Sequence, residues 1–194
     1  MIPTNPKTQR LMSIFLPAWF CVATLLTSPL AALGSENGKS DSGKEKLYLQ
    51  FSLMYEKNVH RTTNYRKGIL VPVNTEVTLV KKTSKTIVVR LPSGQDLTID
   101  NIEKFSGENI DGIFTRTFSR DKVDLSPFSE TERKGIAAGE VKIGMSKKAA
   151  LVALGYPPKH KTPSLESDQW RYWHNRFGTF VVRFEDDRVS KIQK

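Results

Sequence analysis

The chain has 194 residues, with 30 Lys and Arg against 20 Asp and Glu, for a formal net charge of +10. Apolar residues make up 38% and charged residues 26%, a balance that can bury a core and is not that of a disordered chain. A single Cys and three His exclude an internal disulfide framework and a Cys-based zinc site, and they leave little for a His-rich metal centre.

Residues 1–34 read as a secretory signal. Lys7 and Arg10 precede an uncharged, largely apolar run from Leu11 to Gly34, with small residues at Ala32 and Gly34. A positive start, an apolar run and a small-residue end are the three parts that the export machinery needs. Cleavage is expected after Gly34. An uncleaved anchor in the inner membrane stays open, because the run is at the lower limit for spanning a bilayer. Bulky Trp19 and Phe20 stand directly before Cys21, where a lipoprotein signal has a small residue. Cys21 is therefore expected to leave with the signal, which suits an oxidising compartment.

Residues 35–46, SENGKSDSGKEK, are polar and lack aromatics, so a flexible linker is expected. From 47 to 105, short apolar runs alternate with turn residues, the pattern of a small antiparallel β region. Leu47, Leu49, Phe51 and Leu53 share one face. Thr75 to Lys81, Thr86 to Leu91 and Leu97 to Ile102 supply further strands, with turns at Thr83-Ser84-Lys85 and Pro92-Ser93-Gly94-Gln95. The strand count, with Tyr65-Arg-Lys-Gly68-Ile-Leu-Val-Pro72-Val-Asn-Thr75-Glu-Val77 leading into a strand, resembles bacterial SH3-like modules. Residues 106–125 read as an irregular connector with one strand around Gly112 to Phe118.

The last third, 126–194, carries the clearest pattern. Ser129 and Glu132 form a capping box for a helix ending near Ala138-Gly139. Ser146 caps a second helix, Lys147 to Leu154, which Gly155 and Pro157-Pro158 terminate. Three strands follow at Trp170 to His174, Thr179 to Glu185 and Arg188 to Ile192, with a tight turn at Asp186-Asp187. Phe180, Val182 and Phe184 alternate inward. An α+β fold is expected: an N-terminal antiparallel β region, then two helices on a three-stranded antiparallel sheet.

Ile136-Ala-Ala-Gly139-Glu-Val141-Lys-Ile-Gly144-Met145-Ser146, Leu154-Gly155-Tyr156-Pro157, Trp170-Arg-Tyr172 and Val189-Ser-Lys-Ile192 stand in the order found in the SmpA/OmlA (BamE-like) family. The segment is similar to that family over about residues 130–194. The likeness implies a periplasmic domain without catalysis, acting through contact with envelope proteins of the outer-membrane assembly machinery or with lipid. It also implies contacts on the loop entering the W-x-Y strand and on that strand, at positions matching Leu165, Arg171 and Asn175. The chain departs from the family in lacking an anchoring cysteine beside the domain and in its long preceding region.

No catalytic, metal or cofactor residues are expected. The chain has no HExxH, no G-x-S-x-G elbow and no Gly-rich phosphate loop. Its basic residues are scattered rather than gathered on one stripe, which argues against nucleic acid and for anionic lipid or peptidoglycan. Strand alternation puts Trp170 and Tyr172 in the core and Trp173 with Arg171, Arg176 and Arg183 on the outer face. The expected function is that of an exported, non-enzymatic adaptor in outer-membrane assembly or integrity. A cell-wall-binding module using the SH3-like region and an inhibitor-like protein-binding domain are the alternatives.

Overall fold

The computed structural model describes residues 46–194. The expected secretory signal and all of the expected linker except Lys46 lie outside the described residues. Strand β1 (Lys46–Leu49) begins the described chain and buries Leu47 and Leu49. Its strand geometry stops at Gln50, yet Phe51 and Leu53 still point into the same core. β2 (Leu53–Tyr55) turns through Lys57 and Asn58, both at positive φ, into β3 (Val59–Arg61). β4 (Ile69–Val71) pairs with β2 as a separate two-stranded ribbon.

β5 (Glu76–Lys82), β6 (Thr86–Arg90) and β7 (Asp96–Asp100) form an antiparallel meander, as the alternation of Val77, Ile87, Val89, Leu97 and Ile99 predicts. The full sheet runs β3-β7-β6-β5-β1-β8, with β8 (Phe118–Ser119) at one edge. At the other edge β3 lies parallel to β7, so this sheet is not wholly antiparallel.

The connector corrects the sequence reading. Residues 103–117 hold α1 (Glu103–Ser106) and α2 (Ile110–Thr117) rather than a strand around Gly112 to Phe118, of which only Phe118-Ser119 is extended. Ile110, Ile113, Phe114 and Thr117 do recur at helical spacing once Ile110 is included. Asn109 caps the helix by accepting the N–H of Gly112 at 3.0 Å.

α3 (Glu130–Ala138) carries the full capping box between Ser129 and Glu132 and ends at Gly139 in the left-handed region. α4 (Lys147–Leu154) starts from a Ser146 cap. β9 (Gln169–Trp173), β10 (Thr179–Glu185) and β11 (Arg188–Gln193) form an antiparallel sheet in the order β11-β10-β9. Asp186 and Asp187 both adopt positive φ in the turn between β10 and β11. Trp170 (2% exposed) and Tyr172 (0%) join Phe180, Val182 and Phe184 in a core shared with Ile136, Met145, Ala149 and Leu154. Each such large side chain contributes about 1.5–3 kcal/mol when fully buried.

A polar seam joins this core to the one under the larger sheet. Ser52, fully buried, donates its hydroxyl to Ile136 O (3.2 Å) and accepts from Val73 N (3.0 Å). Asn64 Nδ2 donates to Leu154 O (2.8 Å) and Tyr156 O (2.9 Å). Gly155, at φ +73°, passes so close to Phe51 that a Cβ there would lie 2.5 Å from its ring.

At the centre of the seam sits Arg66. Nη1 donates to Ser52 O (3.2 Å) and Leu154 O (3.1 Å), while Nη2 donates to Gly139 O (2.9 Å) and Ala153 O (3.3 Å). The cation therefore closes the C-terminal ends of both α3 and α4, where unpaired carbonyls concentrate negative potential. Burial draws its basicity down to about 10, so it keeps its charge at neutral pH.

Candidate functional site

The outer face of the C-terminal sheet is built by the pairing register. Val181 lies between Arg171 on β9 and Gln193 on β11, and Arg183 lies between Gln169 and Lys191. Period-two alternation puts these residues on the side away from Trp170, Tyr172 and Phe184. Lys161 from the loop before β9 joins them. Lys161, Arg171, Val181 and Arg183 line a depression of about 420 Å³, together with Ser167 and Asp168. Arg183 Nε donates to Gln193 Oε1 at 2.6 Å, a neutral partner that leaves its charge in place. Among the described residues, Lys161, Arg171, Arg183 and Lys191 form no ion pair. Asp168 at the margin points its carboxylate to Lys147, 3.6 Å away.

The β9–β10 hairpin carries this face to a tip. Asn175 Oδ1 accepts the N–H groups of both Phe177 and Gly178 at 2.9 Å, which fixes the turn. Phe177 stands out at 88% exposed, the most exposed large apolar side chain among the described residues. The Arg176 guanidinium lies over its ring at 5.5 Å. An aromatic ring held in water by a rigid turn, next to cations, is a feature of contact surfaces.

Four expected contact residues, Arg171, Asn175, Arg176 and Arg183, thus lie on the outer face or its hairpin tip, all exposed. Trp173 differs from its expected open position. It is half-buried, with its ring 5.4 Å from His160, whose ring is 4.7 Å from Phe105. Lys159 N donates to Phe105 O at 2.8 Å, which lays the Pro-containing loop against α1 and covers the indole. Trp173 O also accepts from Arg66 N at 2.8 Å, so this residue holds the seam. Leu165 lies elsewhere: half-buried against the C-terminal core, it lines a depression of about 400 Å³ with Lys147, Leu151 and Asp187. Its carbonyl accepts Trp170 Nε1 at 3.1 Å.

Lys161 and Lys191 are not among the expected contact residues. Phe177 had a local signal in the Asn-Arg-Phe-Gly order of a turn. Lys161 had none, because only the folded loop brings it beside Arg171.

Among the described residues no group of three or more His, Cys, Asp and Glu is placed to hold a metal ion, and no helix is long and apolar enough to cross a membrane. His60 is buried with Nδ1 donating to Met54 O at 2.7 Å. Burial lowers its pKa to about 4, against the pull of that hydrogen bond, so it is neutral at pH 7. Tyr172 is likewise internal: its hydroxyl donates to Gly155 O at 2.9 Å, and burial pushes its ionisation up. The C-terminal sheet, its two helices and the larger sheet define an α+β protein with an exposed basic sheet face. No protein-family model, curated protein or solved structure matches the chain.

Proposed function

We propose that the protein is a non-enzymatic, exported adaptor of the cell envelope that docks through the outer face of β9–β11 and the tip of the β9–β10 hairpin. The observation that carries this reading is the placement of Phe177, fully presented to water beside Arg176, at the end of a face bearing Arg171, Arg183, Lys191 and Lys161 without acidic partners. Such a surface suits an anionic partner with an apolar contact point, either an acidic protein patch or a phospholipid headgroup layer. The chain order α3, α4, β9, β10, β11 supports the SmpA/OmlA (BamE-like) likeness and with it a place in outer-membrane assembly or integrity. The positively started apolar run at 11–34 supports export. The β-rich half, expected as an SH3-like region, acts in this reading as a platform that steadies the contact sheet through Arg66 and Trp173.

Fractionation after osmotic shock, followed by affinity capture from envelope extract, tests the proposal. Release with periplasmic or outer-membrane fractions and co-purification of assembly-machine subunits or anionic phospholipid supports it. A cytoplasmic location overturns it. Sedimentation with purified cell wall would favour the peptidoglycan reading, and capture of one dominant enzyme the inhibitor reading.

A further inference from the structure

A second concavity lies away from the basic sheet face. It is about 760 Å³, within the range of roughly 300–1,000 Å³ typical of small-ligand sites. One wall is apolar, formed by Met54 of β2, Val141 after α3, Leu154 at the end of α4, Phe180 of β10 and Ile192 of β11. Phe180 is held rigidly in a stack between Tyr172 (5.5 Å) and His174 (4.6 Å). Arg66 lines the same cleft, with His174, Lys194 and one carboxylate, Glu140.

The charge of Arg66 sets the character of this cleft. All of its hydrogen bonds go to neutral backbone carbonyls, and its Nε is shut off from solvent with no acceptor. A Cβ on Gly139 would sit 2.6 Å from Leu70 Cδ1 and 3.1 Å from Arg66 Nη2, so the wall beside the guanidinium is tightly built. An enclosed cation with no carboxylate partner keeps a positive potential that low-dielectric walls strengthen. Placed next to an apolar wall, it favours a ligand with both an acidic head and a hydrocarbon body.

We infer that the cleft bounded by Met54, Arg66, Val141, Leu154, Phe180 and Ile192 binds a single-chain amphiphile with an anionic head. The chain lies against the apolar wall and the head sits at the rim with His174 and Lys194, drawn by the charge of Arg66, whose own N–H groups are already taken or enclosed. The site is separate from the contact face and does not depend on it.

Calorimetric titration of the full chain tests this with dodecanoate, dodecyl phosphate and dodecyltrimethylammonium, each below its micelle concentration. Saturable one-to-one binding of an anionic amphiphile, about tenfold or more tighter than the cationic one of equal chain length, is expected. Dodecanoate against dodecyl phosphate separates a carboxylate from a phosphate head. Ile192→Trp on β11 and Met54→Trp on β2 each fill the cleft along its apolar wall. Each should weaken binding by about tenfold or more while the melting temperature stays near that of the parent chain. If one variant does not fold, the other decides. Absence of saturable binding by both anions, equal affinity for the cationic amphiphile, or undiminished affinity in the folded cleft-filling variants overturns the inference.

Discussion

Glu132 and Ser146 hold the starts of two helices together: one carboxylate oxygen of Glu132 accepts both the backbone N–H and the hydroxyl of Ser146, each at 2.8 Å. The other oxygen accepts Ser129 N at 2.8 Å, completing the capping box of α3. One carboxylate thus serves the N-termini of α3 and α4, where a negative charge is favoured. Burial raises its pKa, but hydrogen bonds from Ser146 and Ser129 outweigh that and hold it at about 2. Glu132→Gln should cost about 1–3 kcal/mol in denaturant unfolding. Ser146→Ala should cost about 1 kcal/mol, with a double-mutant coupling on the order of 1 kcal/mol.

Acid should destabilise the fold in two windows. His60 has a folded pKa of about 4 against an ordinary 6.5, so the unfolded chain binds the extra proton first. Its contribution is full above about pH 6.5, is lost as pH falls toward 4, and is on the order of 3 kcal/mol. Glu132 contributes above its unfolded value of about 4.5, and that stability disappears as pH falls through about 2. Melting temperatures measured from pH 7 to pH 3 should fall in the parent chain. His60→Asn, which retains a donor toward Met54 O but no titration, should flatten the part between pH 6.5 and 4.

Arg66 should be the costliest single side chain in the seam. Arg66→Met leaves the carbonyls of Ser52, Gly139, Ala153 and Leu154 without this donor and should cost about 3–5 kcal/mol. Arg66→Lys keeps the charge but cannot span four acceptors with a planar fork, so it should recover only part of that loss. Urea unfolding followed by circular dichroism reads both.

Phe177 and Trp173, only four positions apart, should separate stability from contact. Phe177→Ser removes no packing and should change unfolding free energy by about 0.5 kcal/mol or less. Trp173→Ala removes the ring contact with His160, which in turn packs on Phe105, and should cost about 2 kcal/mol or more.

The C-terminal segment was readable because its signals are local and agree with one another. Ser129, Glu132, Ser146 and Gly155 mark helix ends, and Phe180, Val182 and Phe184 alternate across a strand whose bounds, Thr179–Glu185, match the expectation. β3 was missed because Lys57-Asn58 is not the Asn-Gly pair that usually marks a two-residue turn, and its parallel pairing with β7 is non-local. α2 is hard to read because Gly112 lowers helix propensity and the helical period shows only when Ile110 is taken with Ile113 and Phe114. Arg171 and Arg183 followed from alternation alone. Trp173 failed because alternation gives the face of a sheet and not what covers it, here His160 from a loop thirteen residues earlier in the chain.

The contact-surface claim is tested most directly by placing a photo-cross-linking residue at position 177, at 171 and, as a control on the larger sheet, at exposed Val80. In intact cells positions 177 and 171 should cross-link to outer-membrane assembly proteins or anionic phospholipid, and position 80 should not. Equal products at all three positions, or no specific product at 177 and 171, would contradict it.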